Sequence, residues 1–343
     1  MCASVSVSVI MPVYNAADYI TSTLQSVLNQ TYKNFDLLLV DDCGQDDSIA
    51  VAESFLVEHG FKRYKILHHE VNGGPSQARN TGLKKSDADY ILFLDSDDMI
   101  EPRCLELLSA PLAEQRYDFV TAGYVESRGG ERIPHYGSQQ DINGNVPEVF
   151  VRGEMNVMPW NKLCRRQFLI ENELYFEPSI YVHEDYIWTY SMTSKADTAK
   201  ILSDLTYVYN VRRESLMTSL TIAKDLEWYI IALKRMAVFK YERGLAWNAC
   251  DYMIVEGKKS GILYSLLQKK EVSLYNKVYP VFKEMVKVSP VKAYKEGMIS
   301  FSYLLRDIHF CFPTWMGKAY KRLFYILCYK LRGQSIRGAL WGE

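Results

Sequence analysis

The chain has 343 residues, 48% of them hydrophobic and 24% charged, with a formal net charge of -1. That length buries a full core and carries more than one structural unit, and the near-zero charge supplies no overall field that would draw in nucleic acid. Seven scattered cysteines, an odd number without a CxxC pair, speak against a disulfide framework and a zinc site and fit a reducing cytoplasm.

The predicted elements alternate from the start. Val5 to Met11 is β-branched and ends at Pro12, a strand followed by a loop. No basic segment precedes it, unlike a signal peptide. Ala17 to Gln30 sets Ile20, Leu24, Val27 and Leu28 on one helical face. Phe35 to Val40 is a buried run ending in Asp41 and Asp42, and Asp46 or Asp47 caps a helix that Gly60 stops. Tyr64 to His68 reads as a third strand, and Pro75 opens a helix reaching about Lys84. Tyr90 to Leu94 is a fourth strand, followed by Asp95-Ser96-Asp97-Asp98, a helix from about Pro102, and a strand over Asp118 to Val125.

Such βα units with apolar strands predict an α/β fold with a mostly parallel sheet covered by helices on both faces. Ser127 to Pro147 is Gly-rich and polar, a long surface loop in the role of a lid or acceptor-side insertion. Helical patterns run from about Thr221 to the end, which sets the expected domains at 1–219 (halves of about 1–125 and 126–219) and 220–343. No apolar run approaches the ~18–20 residues that span a bilayer.

Ligands of open parallel sheets sit beyond the carboxyl ends of the strands. Three polar signatures stand there: Pro12-Tyr14-Asn15, Asp41-Asp42, and Asp95 to Asp98. Acids after strands often serve only as turn formers and caps. A carboxylate pair spaced i, i+2 behind a buried strand also suits a hard divalent cation held against a diphosphate, where it acts as a Lewis acid.

SVIMPVYNA, LLLVDDCGQDDS, NGGPSQARNTGL and YILFLDSDD, in that order, resemble the hallmark segments of glycosyltransferase family 2, and the resemblance covers about residues 4–215. It implies a GT-A fold, a nucleotide-sugar donor (a UDP-sugar above others) and inversion of the anomeric centre. By the same resemblance, Pro12 and Tyr14 line the nucleobase pocket, Asp41 accepts a hydrogen bond from uracil, and Asp42 helps shape the pocket. Gly73, Gly74 and Arg79 pass beside the nucleotide, although Gly73-Gly74 also reads as an ordinary turn and Arg79 with Asn80 as structural. Asp95 contacts the ribose or sugar and shares the metal site with Asp97, which binds Mn or Mg. His183-Glu184-Asp185 resembles the family's ED motif: Asp185 is the base and Glu184 its alternate, against a bland reading as acids at a helix N-terminus. Trp160 in PWNKL stacks on a sugar or packs in the core. Arg212 or Arg213 closes on the diphosphate, or the two form a solvated pair. No histidine in this loop completes the metal shell.

The implied acceptor is a glycan or lipid-linked glycan for a cell-surface polysaccharide, and the implied location is the cytoplasm, at the inner face of the membrane. The segment Thr314 to Gly333 interleaves Lys318, Lys321, Arg322, Lys330 and Arg332 with aromatic residues, which fits either an anionic membrane surface or a helix packed on its own protein. Three rivals are weighed. A nucleotidyltransferase needs a Gly-rich basic loop where PVYNA stands, and a dinucleotide oxidoreductase needs GxGxxG there. A non-catalytic sugar-binding scaffold has no need of intact Asp41, Asp97 and Asp185.

Overall fold

The computed structural model describes residues 5–180, 182–212, 221–242 and 248–332. Two compact units emerge: Met1–Val146 with Glu154–Thr221, and Pro147–Gly153 with Ile222–Glu343.

The first unit is built on a sheet of order β3-β2-β1-β4-β9-β6-β10-β5. Its nucleus is β1 (Val7–Val13), β2 (Phe35–Asp41), β3 (Tyr64–His68) and β4 (Tyr90–Phe93), all parallel. The residues of β1, β2 and β4 are mostly apolar because both faces are covered, whereas no residue of the edge strand β3 is fully buried. Val7, Val9, Met11, Leu37, Leu39 and Leu92 pack with Ile20, Leu24 and Val27 of α1 (Ile20–Leu28) and with Ala52 and Leu56 of α2 (Ser48–Glu58). Ile10 meets α3 (Gly74–Lys85), where Gly82 lets the helix close in: a Cβ there would stand 2.3 Å from an Ile10 methyl carbon. Each fully buried Leu or Ile contributes about 1.5–3 kcal/mol.

The other half of the sheet is mixed, a departure from the mostly parallel expectation. After β5 (Met99–Ile100), α4 (Cys104–Ser109) and β6 (Phe119–Arg128) come two strands in the segment expected as a loop. They are β7 (Glu131–His135), antiparallel to β6, and β8 (Gln140–Asn143), antiparallel to β10 (Thr198–Val211). Gly129 and Gly130, with φ of +57° and +91°, form the hairpin tip that their left-handed backbone requires. β7 is exposed along its whole length, so its polar composition looks like loop. α5 (Val146–Val151) lies in a stretch that groups mainly with the second unit. β9 (Lys162–Arg165) then runs antiparallel between β4 and β6, and α6 (Arg166–Glu171) and α7 (Glu184–Thr193) follow. Asn161, with φ of +61°, turns the chain into β9 and donates from its amide to the carbonyls of Ala122 and Gly123. Trp160 is buried and stacks on Tyr207, so of its two readings the core one holds.

The second unit is helical, with helices Ile222–Glu242, Lys258–Gln268, Val272–Glu284 and Thr314–Arg332 as its longest members. Polar groups are buried inside it, and they are paired: Lys259 with Glu256, Arg306 with Asp307, and the His309 ring between Tyr279 and Ser260. No helix among the described residues is long and apolar enough to cross a membrane.

Candidate functional site

Parallel register brings the ends of β1, β2 and β3 side by side, with Val13 opposite Asp41 and Asp41 opposite His68. The turns beyond them are tied together. Asn15, with φ of +47°, accepts the Gln45 amide at 2.8 Å, and Asp46 accepts the Ala17 amide at 2.9 Å. Tyr14 stands 49% exposed beside this edge, a ring face open to a ligand, and Pro12 is half-buried under it.

The two acids after β2 do different things. Asp41 accepts from the His68 Nδ1 at 2.9 Å and from the Gly44 amide at 3.3 Å while part of its carboxylate stays at the surface. Asp42 is buried, and both its oxygens are used: the Gly73 amide and His69 Nδ1 donate to Oδ1, and the Gly74 amide donates to Oδ2. Asp42 is thereby committed to its own backbone. It pins the Gly73-Gly74 turn, where Gly74 has a φ of +78° and a Cβ on Gly73 would fall 2.8 Å from Gln77. Both glycine amides are spent on a carboxylate, which leaves neither free for a phosphate.

The acids after β4 diverge likewise. Asp98 is buried, and it accepts from the Tyr207 hydroxyl and the Asn210 amide, each at 2.8 Å. Burial, and then the charge of Asp95, pushes its carboxyl up to about 8. The Asn210 side chain donates to the Asp97 carbonyl, so the end of β10 is stapled to the acidic turn. Asp97 points outward and pairs with Arg212, whose guanidinium lies 3.7 Å from the centre of the Tyr19 ring. Arg213 lies outside the described residues.

Asp95 meets the ED segment through Arg79. The Arg79 side chain is 6% exposed and donates to Asp95 at 2.8 Å and to Glu184 at 3.3 Å, with Phe176 under the guanidinium. Burial opposes the Arg79 charge, but the two carboxylates outweigh it and its pKa is raised. Aromatic packing sets this geometry. Trp188 of α7 stacks on Phe176, and both meet Phe93, two residues before Asp95, edge-on. Asn80 clamps the Phe176 backbone with two hydrogen bonds of 2.8 Å. In these contacts Arg79 and Asn80 hold acids and chain in place, as the structural reading expects, and a nucleotide contact by Arg79 stays open to test. Asp185, in the first turn of α7, is raised to about 7 by burial first and then by Glu184 and Asp95, against the Tyr186 amide and Arg79.

One face of the sheet edge thus gathers Tyr14, Asp41, Asp95, Asp97, Glu184, Asp185 and Arg212. Sequence reasoning missed His68 and His69, although a His-His pair ends the strand next to Asp41 and Asp42. It also missed Tyr19, Tyr207 and Asn210. Lys162, read only as part of PWNKL, is fully buried, donates to three oxygens of Asn156 and Met158, and interacts electrostatically with Asp185.

A divalent cation was tested against these residues. Among those described, no three acids, histidines or cysteines form a cage. Of the two acids expected to bind it, Asp95 is held by the buried Arg79, whereas Asp97 pairs with the partly exposed Arg212, whose charge competes for the same carboxylate. This donor set does not suit an all-protein site. It does suit a hard cation held by one or two carboxylates and finished by substrate phosphates and water.

The chain is similar to known proteins. Residues 8–172 match the family described as Glycosyl transferase family 2. The chain is 28% identical to the glycosyltransferase GlyG of Streptococcus pneumoniae, over 65% of this chain and 75% of that protein. It is 30% identical to the poly(ribitol-phosphate) beta-N-acetylglucosaminyltransferase TarS of Staphylococcus aureus, over 60% of this chain but only 36% of that one. Crystal structures of S. aureus TarS 1-349 share the fold: the complex with UDP superposes with a TM-score of 0.64 at 21% identity, covering 92% of this chain and 91% of that one. The complex with UDP-GlcNAc has a TM-score of 0.63 at 22% identity, covering 96% and 92%.

Proposed function

We propose, from the match of residues 8–172 to the Glycosyl transferase family 2 model, that the chain transfers a sugar from a UDP-sugar to a hydroxyl of a cell-surface polysaccharide, with inversion at the anomeric carbon. The observation that carries this is the meeting of three groups of side chains at one sheet edge, each suited to a different part of the reaction. The relatives that act on poly(ribitol-phosphate) support a polymer acceptor, and the TarS complexes support a uridine nucleotide.

Tyr14 stacks on the base and Asp41 accepts from its ring N–H. Asp95 and Asp97 would hold a divalent cation, which would supply positive charge to the diphosphate. Arg212 adds its own charge to the leaving group from beside Asp97. Asp185 takes the proton of the acceptor hydroxyl as that oxygen bonds to the anomeric carbon. The bond from that carbon to the diphosphate breaks, and its electron pair leaves on the phosphate oxygen. A carboxyl lifted to about 7 is well matched to this proton transfer near neutral pH.

A panel of UDP-sugars with Mn, Mg or chelator tests the reading. One donor is expected to release UDP in a metal-dependent manner and to stabilise the fold by about 2.7 kcal/mol at a hundred times its Kd. Asp97→Asn is expected to remove the metal dependence of donor binding while leaving the melting temperature unchanged. A chain that neither hydrolyses nor is stabilised by any UDP-sugar overturns the function, and metal dependence kept by the variant overturns the ligand. Asp41→Ala is expected to weaken UDP binding roughly ten- to hundredfold, the worth of a charged hydrogen bond, with the saturated rate little changed. Unaltered UDP affinity by calorimetry would remove Asp41 from the base pocket.

A further inference from the structure

The charge of this chain is divided very unevenly. Residues 222–343 hold 21 Lys and Arg against 10 Asp and Glu, a net +11, whereas residues 1–221 hold 19 against 31, a net -12. The whole-chain value of -1 conceals a helical unit that is strongly basic on its own.

The helix Thr314–Arg332 adds a second, independent feature. One cation and one small residue of it, Lys321 and Gly317, are turned inward. Lys321 is buried with its amine toward the Arg306 carbonyl, and Gly317 lies against Tyr279 and His309. Its apolar residues are turned outward: Trp315 is 72% exposed, Leu323 56% and Ile326 44%, with Met316 and Ala319 exposed between them. On a 3.6-residue period these five fall within about a third of the helix circumference. An amphipathic helix with its apolar side toward solvent has no explanation in the packing of its own unit. One margin of the stripe is cationic. Arg322 and Lys318 lie there over the rings of Tyr275 and Tyr279 and donate to Asn276, next to the exposed Lys277. Tyr320 and Phe324, which the sequence pattern also offered to a membrane, stack on each other and are half-buried, and Tyr320 donates to the Leu305 carbonyl.

We propose that the stripe Trp315-Met316-Ala319-Leu323-Ile326 seats this helix in the headgroup region of an anionic lipid bilayer, with Lys277, Lys318 and Arg322 against the lipid phosphates. Charge alone would serve equally for a soluble polyanion. What selects the bilayer is the exposed apolar stripe beside those cations, because a Trp with aliphatic neighbours gains nothing from a polyphosphate and much from an interface. Basic residues near such a surface each add about 1 kcal/mol, an attraction that salt screens. The inference does not depend on the proposed reaction.

The test is co-sedimentation of the full chain with vesicles of phosphatidylglycerol and phosphatidylcholine in equal parts, and with phosphatidylcholine alone. Binding to the anionic vesicles only, weakening as salt is added, is expected. The double variant Trp315→Ser/Leu323→Ser should partition at least about tenfold more weakly, given the apolar area lost. Its melting temperature and UDP binding should be unchanged, because both side chains are at the surface. No binding to anionic vesicles overturns the proposal. So does a double variant that sediments like the parent, and polyphosphate binding equal in both chains would then assign the basic surface to a soluble polyanion.

Discussion

Asp185→Asn is expected to bind UDP-sugar and metal as the parent chain does and to transfer the sugar roughly 10²–10⁴-fold more slowly, the usual cost of losing a general base. The amide keeps the shape of the carboxyl and the hydrogen bond accepted from the Tyr186 amide. What it loses is the capacity to take a proton. Because burial and the neighbouring charges of Glu184 and Asp95 lift the Asp185 carboxyl to about 7, its active, ionised form is gained as pH rises. In the parent, kcat/KM should therefore fall tenfold per pH unit below about 7 and level off above it, and the variant should lose that limb. Single-turnover kinetics across pH, with donor affinity measured separately, checks both parts. A transfer rate near that of the parent would move the role to Glu184 or take the motif out of the chemistry.

Arg79→Met is expected to destabilise the first unit by about 3–5 kcal/mol, since it leaves two carboxylates facing each other in a nearly closed site. Asp95 and Glu184 converge on this one guanidinium, and no second cation is paired with either among the described contacts. At about 2–4 °C per kcal/mol for a unit of this size, calorimetry should see a clear fall in melting temperature. Arg79→Lys keeps a charge but not the fork that reaches both acids, and should fall between. The other reading of Arg79, as a nucleotide contact, makes the opposite forecast: an unchanged melting temperature with weakened UDP binding.

The two substitutions also mark where the sequence stopped being readable. The apolar runs that became β1, β2 and β4, and the 3.6-residue spacing of α1, could be read because one covered face per helix and two per strand leave their period in the chain. The acids at the strand ends could be read as a group. Their separate tasks could not: Asp41 and Asp42 are alike as letters, and only the Gly73-Gly74 turn, some 30 residues on, decides which of them is saturated. Arg79 illustrates the same limit, with its partners 16 and 105 residues away. β7 and β9 were hidden for other reasons. The first is exposed throughout and the second has four residues, too few to carry a period. In the last helix the alternation of basic and aromatic residues was plain, but which of them face solvent depends on the helices beneath.

The staple between Asp98 and β10 also sets the mechanics of the resting site. Tyr207 and Asn210 fix the end of that strand to the acidic turn, while Arg212, two residues on, pairs with Asp97 over the Tyr19 ring. The strand end is then an anchor point, and the Arg212 guanidinium sits on a short tether from it. In the proposed reaction, a turn of the Arg212 side chain from Asp97 toward a departing diphosphate would involve rotation about only a few bonds, with no sliding of the sheet. In the proposed reaction, the charge that pairs with Asp97 would also be the one stationed to follow the leaving group.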